Sequence, residues 1–217
     1  MKEDPVNKNI IYVGTDNGLY VSINNGKSFM TFNGGLPRVA VHDIAIQERE
    51  NEIVIGTHGR SIYKTGLDEI QKLDSVMNSD LFIYKPAKID YDENQGKFFT
   101  VFDPVNENNY DFAYFVKTPG ITNITIASEN GTILKEFTDT SEAGVNYIKY
   151  DLSFEERNKP AYEKYLDDLP VTGTRKVANI KPADNGKYYL QPGKFILKLS
   201  AASGSKQTNF EVVKKEE

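Results

Sequence analysis

An internal repeat constrains this chain more than any other feature. Ile11-Tyr12-Val13-Gly14-Thr15-Asp16-Asn17-Gly18-Leu19-Tyr20-Val21 reads against Ile53-Val54-Ile55-Gly56-Thr57-His58-Gly59-Arg60-Ser61-Ile62-Tyr63, with Gly56 placed 42 residues after Gly14. Gly-Thr is shared, and the flanking apolar residues alternate in phase, as in half-buried strands. Each copy predicts a β-hairpin: a strand, a Gly-bearing turn and a second strand. Phe29–Phe32 predicts an outer strand for the first copy. Asp43–Ile46 predicts the innermost strand of the second, followed by Glu52–Thr57 and Ser61–Lys64.

A period of about 40–45 residues built from four short strands is that of a β-propeller blade. The repeat fades near Thr65, leaving about one and a half blades where a closed propeller uses roughly four to eight. Residues 1–73 are therefore expected to be the terminal part of a propeller cut from a longer protein, because open blade edges carry unpaired backbone groups. Gly66–Leu73 predicts one or two helical turns, and 74–97 a polar linker with a connecting strand at Phe82–Tyr84. Seven β-rich stretches follow: Phe98–Phe102, Asp111–Lys117, Asn123–Ala127, Thr132–Phe137, Val145–Tyr150, Lys194–Ser200 and Thr208–Val213. Asn130-Gly131 between two of them is a strong hairpin signal. Residues 98–217 thus predict an immunoglobulin-like β-sandwich. An insertion, Ser153–Tyr189, interrupts it with a short helix at Ala161–Leu166 and with Pro160, Pro170 and Pro182. The fold class expected is all-β.

Composition adds exclusions. Apolar residues make up 39% of the 217 and aromatics 12%, enough for a packed core. A net charge of −5 argues against nucleic acid and anionic membrane as partners. No run of 18 apolar residues is present, so no membrane span is expected. Met1-Lys2-Glu3-Asp4-Pro5 lacks the apolar stretch of a signal peptide. The absence of cysteine removes disulfides, thiolate catalysis and Cys-based metal sites. His42 and His58 are the only histidines and leave little for zinc chemistry. No metal and no cofactor is expected.

Ser22-Ile23-Asn24-Asn25-Gly26-Lys27-Ser28-Phe29 follows the first hairpin. A short polar side chain at Asn24 can bond turn amides, and Gly26 can supply a positive φ. Phe29 is expected to turn inward and anchor the turn. The segment resembles the Asp-box, or bacterial neuraminidase repeat, Ser/Thr-x-Asp-x-Gly-x-Ser/Thr-Trp/Phe, with Asn24 where that family prefers Asp and Phe29 where it prefers Trp. The wider resemblance is to secreted, sortilin-like Asp-box propellers of the glycosyl-hydrolase-like type. Their last blade reads as Gly56-Thr57-His58-Gly59-Arg60 followed by an aromatic-bearing strand. Their C-terminal sandwich resembles Asn130-Gly131, Ala143-Gly144-Val145-Asn146, Tyr150-Asp151-Leu152 and Pro192-Gly193-Lys194-Phe195, with Tyr150 where the family usually has Trp. The same pattern is similar to the C-terminal domain of flagellar hook-capping proteins. The resemblance runs from Asn9 to Val213. It implies a non-catalytic, extracellular or periplasmic C-terminal segment that supports the propeller. The implied partners are the remaining blades and a glycan or protein ligand. The alternatives are a protein-interaction module of a sortilin-like receptor and a purely structural bracing domain.

The resemblance makes Ser22, Asn24, Gly26, Ser28 and Phe29 structural and puts their turn on the face away from ligands. The turns Asp16-Asn17-Gly18 and His58-Gly59-Arg60 lie at the other end, where the connection Asn33–Arg38 also finishes. Propellers generally carry ligands on that face, so Asp16, His58, Arg60 and Arg38 are the candidate ligand-binding residues. Arg60 can grip a carboxylate with two hydrogen bonds. Asp16 and His58 also suit tight turns at positive φ. Glycoside hydrolysis needs a pair of carboxylates. Of Asp16, Asp43 and Glu52, Asp43 stands at the start of an inner strand, and nothing in the local sequence pairs it with a second acid. No catalytic residue is predicted, and any glycosidase-like activity is expected of the parent protein, by resemblance, and not of this chain alone. Tyr12, Tyr20, Tyr63, Tyr114, Tyr147 and Tyr150 lie at strand positions suited either to sugar stacking or to packing. Asn123-Ile124-Thr125 and Asn130-Gly131-Thr132 fit glycosylation acceptors and are expected to be unmodified in a protein resembling bacterial ones. Asp151–Glu156 and the tail Lys214–Glu217 read as solvated surface.

Overall fold

Both copies of the repeat form antiparallel sheets in the computed structural model, which describes residues 1–32, 36–100, 102–170 and 179–214, the Asp74 side chain excepted. Sheet 1 pairs β1 (Lys2–Glu3), β2 (Ile11–Thr15), β3 (Gly18–Ser22) and β4 (Met30–Thr31) in that order. Sheet 2 pairs β5 (Val41–Gln47), β6 (Glu52–Thr57) and β7 (Ile62–Gly66), and helix α1 (Asp68–Val76) follows. These elements make up the first of two units, Met1–Asn78 and Ser79–Glu217.

The pairing corrects the repeat register. Gly14 opposes Leu19 in sheet 1, whereas Gly56 opposes Ile62 in sheet 2. The second turn therefore holds one residue more than the first. Beyond it, Leu19 corresponds to Ile62 and Tyr20 to Tyr63, 43 residues on. A slip of one residue would put every later side chain on the opposite face.

Directly opposed residues share a face, as do alternate residues along a strand. Tyr12, Gly14, Leu19 and Val21 thus lie on one face of sheet 1, with Tyr12, Leu19 and Val21 buried. Val41, Ile44, Ile53 and Ile55 share a face of sheet 2, and all are buried. The two faces meet. A Cβ added to Gly14 would lie 2.7 Å from Val41 Cγ1 and 2.9 Å from the Val41 carbonyl oxygen. Only glycine lets β2 and β5 come this close. A buried polar chain fixes the other end of the unit. Asp4, itself 2% exposed, accepts from the Val6 and Asn7 amides, the Tyr12 hydroxyl and Gln71 Nε2. Gln71 on α1 exchanges hydrogen bonds with Asn51. Every lone pair of the carboxylate thus finds a donor without a cation, which is what allows it to be buried. Burial, and then the neighbouring Asp4 carboxylate, push the Tyr12 phenol well above its ordinary range.

The second unit contains β8 (Leu81–Ile83), β9 (Ile89–Asp90), β10 (Tyr110–Val116), β11 (Gly120–Ser128), β12 (Ile133–Ser141), β13 (Gly144–Tyr150), β14 (Ser153–Phe154), α2 (Lys159–Asp168), β15 (Tyr188–Tyr189), β16 (Gly193–Ala201) and β17 (Gly204–Val213). They build a three-stranded sheet β13-β10-β8, a five-stranded sheet β12-β11-β16-β17-β9 and the pair β14-β15. One core joins Phe112, Tyr114 and Ile148 of the first sheet to Ile124, Leu197 and Phe210 of the second, with Tyr162 of α2 added. Asn130-Gly131 closes the β11–β12 hairpin, with Gly131 at φ 90° and the Thr132 amide bonded to Asn130 Oδ1. The architecture is all-β with several sheets.

The region differs from expectation in three places. Phe98, Phe99 and Phe102 form no strand. They stand exposed in a loop whose ends are held by hydrogen bonds between Gly96, Lys97 and Asn106. Leu81–Ile83 pairs with β10 and so belongs to the second unit. The insertion 153–189 adds the pair β14 and β15 to the expected helix, which is α2 with Tyr162 and Tyr165 buried. Pro170 borders residues 171–178, which lie outside the described residues.

Candidate functional site

The two equivalent turns of the first unit carry the residues singled out by sequence. In the first, Thr15 Oγ1 donates to the Gly18 carbonyl at 3.0 Å and accepts from the Asn17 amide at 3.1 Å. In the second, Thr57 Oγ1 donates to the Ser61 carbonyl at 2.6 Å. The shared Gly-Thr pair therefore does the same local job twice: the hydroxyl closes the turn. Asp16 and Arg60 project from the turn tips, and both are exposed. The His58 amide donates to the Ala40 carbonyl at 2.9 Å, which brings the segment after Arg38 against the second turn. Asn33, at the start of that connection, lies outside the described residues.

A neighbour that sequence reasoning passed over appears beside His58. The β5–β6 ladder shifts register between Val41 and Asp43, so His42 is the extra residue of a bulge. Bulges re-aim side chains. Here the His42 ring stacks on His58 with centroids 4.9 Å apart and planes at 23°. Among the described residues, none of Asp16, Arg38, His58 and Arg60 makes a side-chain hydrogen bond or ion pair with another described residue. All four are exposed. Asp43 accepts from its neighbouring Ile44 amide, and Glu52 is taken up by Lys64 at 2.7 Å.

The turn of Ser22–Phe29 is held by its own side chains. Asn24 Oδ1 accepts from the Ser28 amide at 2.9 Å, Asn24 Nδ2 donates to Ser28 Oγ at 2.8 Å, and Ser22 Oγ accepts from the Gly26 amide at 2.8 Å. Gly26 has φ 80° and Asn25 φ 56°. Phe29 does not turn inward. It is 47% exposed and lies beside Val13, Thr15, Asn17 and Tyr20 around an open groove of about 380 Å³. Tyr12, Tyr114 and Tyr150 are buried and offer no stacking surface, while Tyr147 is 46% exposed.

A second polar centre, in the other unit, was invisible in sequence. Asp151, read there as solvated surface, accepts from Ser153 N, Ser153 Oγ, Lys135 Nζ and Lys187 Nζ, and Lys187 also pairs with Glu107. Burial alone would raise the Asp151 carboxyl, but the hydrogen bonds from Ser153 and Lys187 and the Lys135 charge more than offset it. They hold it well below the usual carboxylate range. The Glu107 and Asp151 carboxylates push the Lys187 ammonium upward. Lys135, Lys187 and Glu107 lie 16 to 44 residues from Asp151 in the chain, and only the fold brings them together. Among the described residues no group of three or more His, Cys, Asp or Glu side chains is placed to hold a metal. No described helix is long and apolar enough to cross a membrane.

No known protein family and no curated protein matches the chain. Among solved structures, it is similar to PorZ, described as an essential bacterial surface component of the type-IX secretion system of the human oral-microbiomic Porphyromonas gingivalis, at 15% identity and a TM-score of 0.30. The match covers 98% of this chain and 22% of that one, so the chain spans about a fifth of the PorZ chain.

Proposed function

We propose that the chain is a non-catalytic segment of an extracellular or periplasmic Asp-box propeller protein, in which residues 1–73 are terminal blades and residues 98–217 an immunoglobulin-like sandwich. Its role on this reading is to support the propeller and to present a binding surface for a glycan or protein at the Asp16, Arg38, His58 and Arg60 end. The observation that carries it is the stacking of two equivalent antiparallel sheets through Gly14 and Val41, with both Gly-Thr turns closed by the same hydroxyl bond. The self-contained hydrogen bonds of Ser22, Asn24 and Ser28 support a structural role for the Asp-box turn. The position of Glu52 supports the non-catalytic reading, since it opposes Gln47, four residues along β5 from Asp43, and is paired with Lys64.

The experiment is a glycan and peptide array probed with the full chain, with Arg60→Ala/His58→Ala and with Asn24→Ala. Binding should be lost in the double variant and retained in Asn24→Ala. Binding that survives the double variant, or that is lost only in Asn24→Ala while the melting temperature holds, contradicts the assignment. Run beside it, an aryl-glycoside panel should give no turnover. Turnover abolished by Asp43→Asn would make the chain an enzyme.

A further inference from the structure

Sheet 1 covers its outer edge with a fourth strand, and sheet 2 does not. In sheet 1, β4 pairs with β3, with Tyr20 opposing Thr31 and Val21 opposing Met30. The Phe32 amide extends that pairing by one residue and donates to the Leu19 carbonyl at 2.9 Å. In sheet 2 the chain leaves β7 at Gly66 and turns into α1 instead of folding back. Among the described residues no strand pairs with the outer side of β7. Leu19, Tyr20 and Val21 are equivalent to Ile62, Tyr63 and Lys64, so β7 offers the edge that Met30, Thr31 and Phe32 cover on β3. That edge is accessible: Ile62 is 74% exposed, and a Cβ on Gly66 would meet nothing within 4 Å. Its backbone direction follows from sheet 2 itself. The Ser61 carbonyl accepts from the Thr57 amide, so Ser61 turns its backbone groups toward β6. Direction alternates along an antiparallel strand, so Ile62 and Lys64 turn theirs to the outer side. Leu19 does the same toward β4. Sheets stack through their faces, so a further sheet on either side leaves this edge as it is.

We propose that β7 takes an extended segment of a partner polypeptide as an antiparallel fourth strand of sheet 2. The segment pairs with the amides and carbonyls of Ile62 and Lys64. It carries an apolar side chain opposite Ile62, as Phe32 stands opposite Leu19. Opposed side chains share a face, so this one shields Ile62 from water. The backbone supplies the hydrogen bonds, and the apolar position sets the preference among peptides. The inference rests on the repeat reading behind the proposed function, but it uses a strand edge and not the Arg60 side chain. A contact of a few backbone hydrogen bonds is weak, about millimolar, and does not survive the washing of an array. The array therefore reads the Arg60 end alone, and the two results can fail independently.

Amide hydrogen exchange on the full chain tests it, with the segment Lys27–Asn33 as a synthetic peptide at up to about 5 mM. The peptide should slow exchange at Ile62 and Lys64 by about tenfold. The same peptide N-methylated at Phe32 lacks the amide that meets the Ile62 carbonyl and should leave both rates unchanged. Arg60→Ala/His58→Ala keeps the β7 backbone and should respond to the peptide as the wild type does, which separates a failure here from a failure of the Arg60 site. Unchanged exchange at Ile62 and Lys64 overturns the proposal. So does equal slowing by the N-methylated peptide, or a loss of the response in the double variant. Slow exchange at both amides before peptide is added overturns it as well, and a sedimenting mass of twice 24.5 kDa would then name a second copy as the occupant.

Discussion

Ser61 adopts φ 90°, a region disfavoured for side chains bearing a Cβ, whereas Gly18 at the equivalent position of the first turn has φ 127°. The Ser61 carbonyl is needed to accept from Thr57, so the strain is held by that bond. Ser61→Gly should therefore stabilise the first unit by about 0.5–1 kcal/mol, read as a raised urea midpoint, in spite of glycine's greater freedom in the unfolded chain. At the other turn, Asn24→Ala removes an acceptor for the Ser28 amide and should cost about 0.5–1.5 kcal/mol. Asn24→Asp keeps that acceptor and should cost less. Gly26→Val should cost more than either, because its φ of 80° strains any branched residue. Thermal melts of the three variants give the order directly. The turn was legible in sequence because its side-chain bonds join residues within four positions of each other. The outward Phe29 was not, since its surroundings are set by strands β2 and β3 and not by the turn.

Elements were legible where the pattern is local and lost where it is not. The Gly-Thr hairpins and the Asn130-Gly131 turn follow from turn chemistry. The extra residue in the His58–Ser61 turn was hidden, because Gly-Thr aligns equally well with either register beyond it. The aromatic run at Phe98–Phe102 has strand propensity, but the loop is fixed by Asp92, which accepts from both Asn106 and Asn108 more than a dozen residues away. The Asp151 centre has consequences for the sheet pairs it bridges. Its folded carboxyl lies below the unfolded value near 4, so the unfolded chain takes up the proton first. Its stabilisation is complete above about pH 4–5 and is lost as pH falls further. Urea midpoints of the second unit should drop between about pH 5 and pH 3, and Asp151→Asn should flatten that drop. The variant should also cost about 1.5–3 kcal/mol at neutral pH, where hydrogen bonds to a charged group are lost. Lys187 is shifted in the opposite sense, but its side chain is 44% exposed, so solvent screening leaves it a small share.

At the scale of the whole molecule, the chain consists of two units. The core of the second unit is drawn entirely from residues 81–212, so a piece comprising residues 79–217 should fold cooperatively and run as a monomer. Light scattering and a single urea transition check this. The first unit stacks two repeated sheets in one direction, with one glycine covered and its equivalent uncovered. That asymmetry is the centre of the account. It is tested most directly by Gly14→Val and Gly56→Val, compared by chemical denaturation. A side chain at Gly14 must displace the Val41 backbone and should cost about 1–3 kcal/mol. A side chain at Gly56 meets Asp43 only at ordinary van der Waals distance, 3.7 Å, loses glycine's unfolded-state entropy and gains strand preference, so it should be neutral or stabilising by up to about 1 kcal/mol. Equal destabilisation by the two variants, or a Gly14→Val chain as stable as wild type, would contradict the stacked repeat.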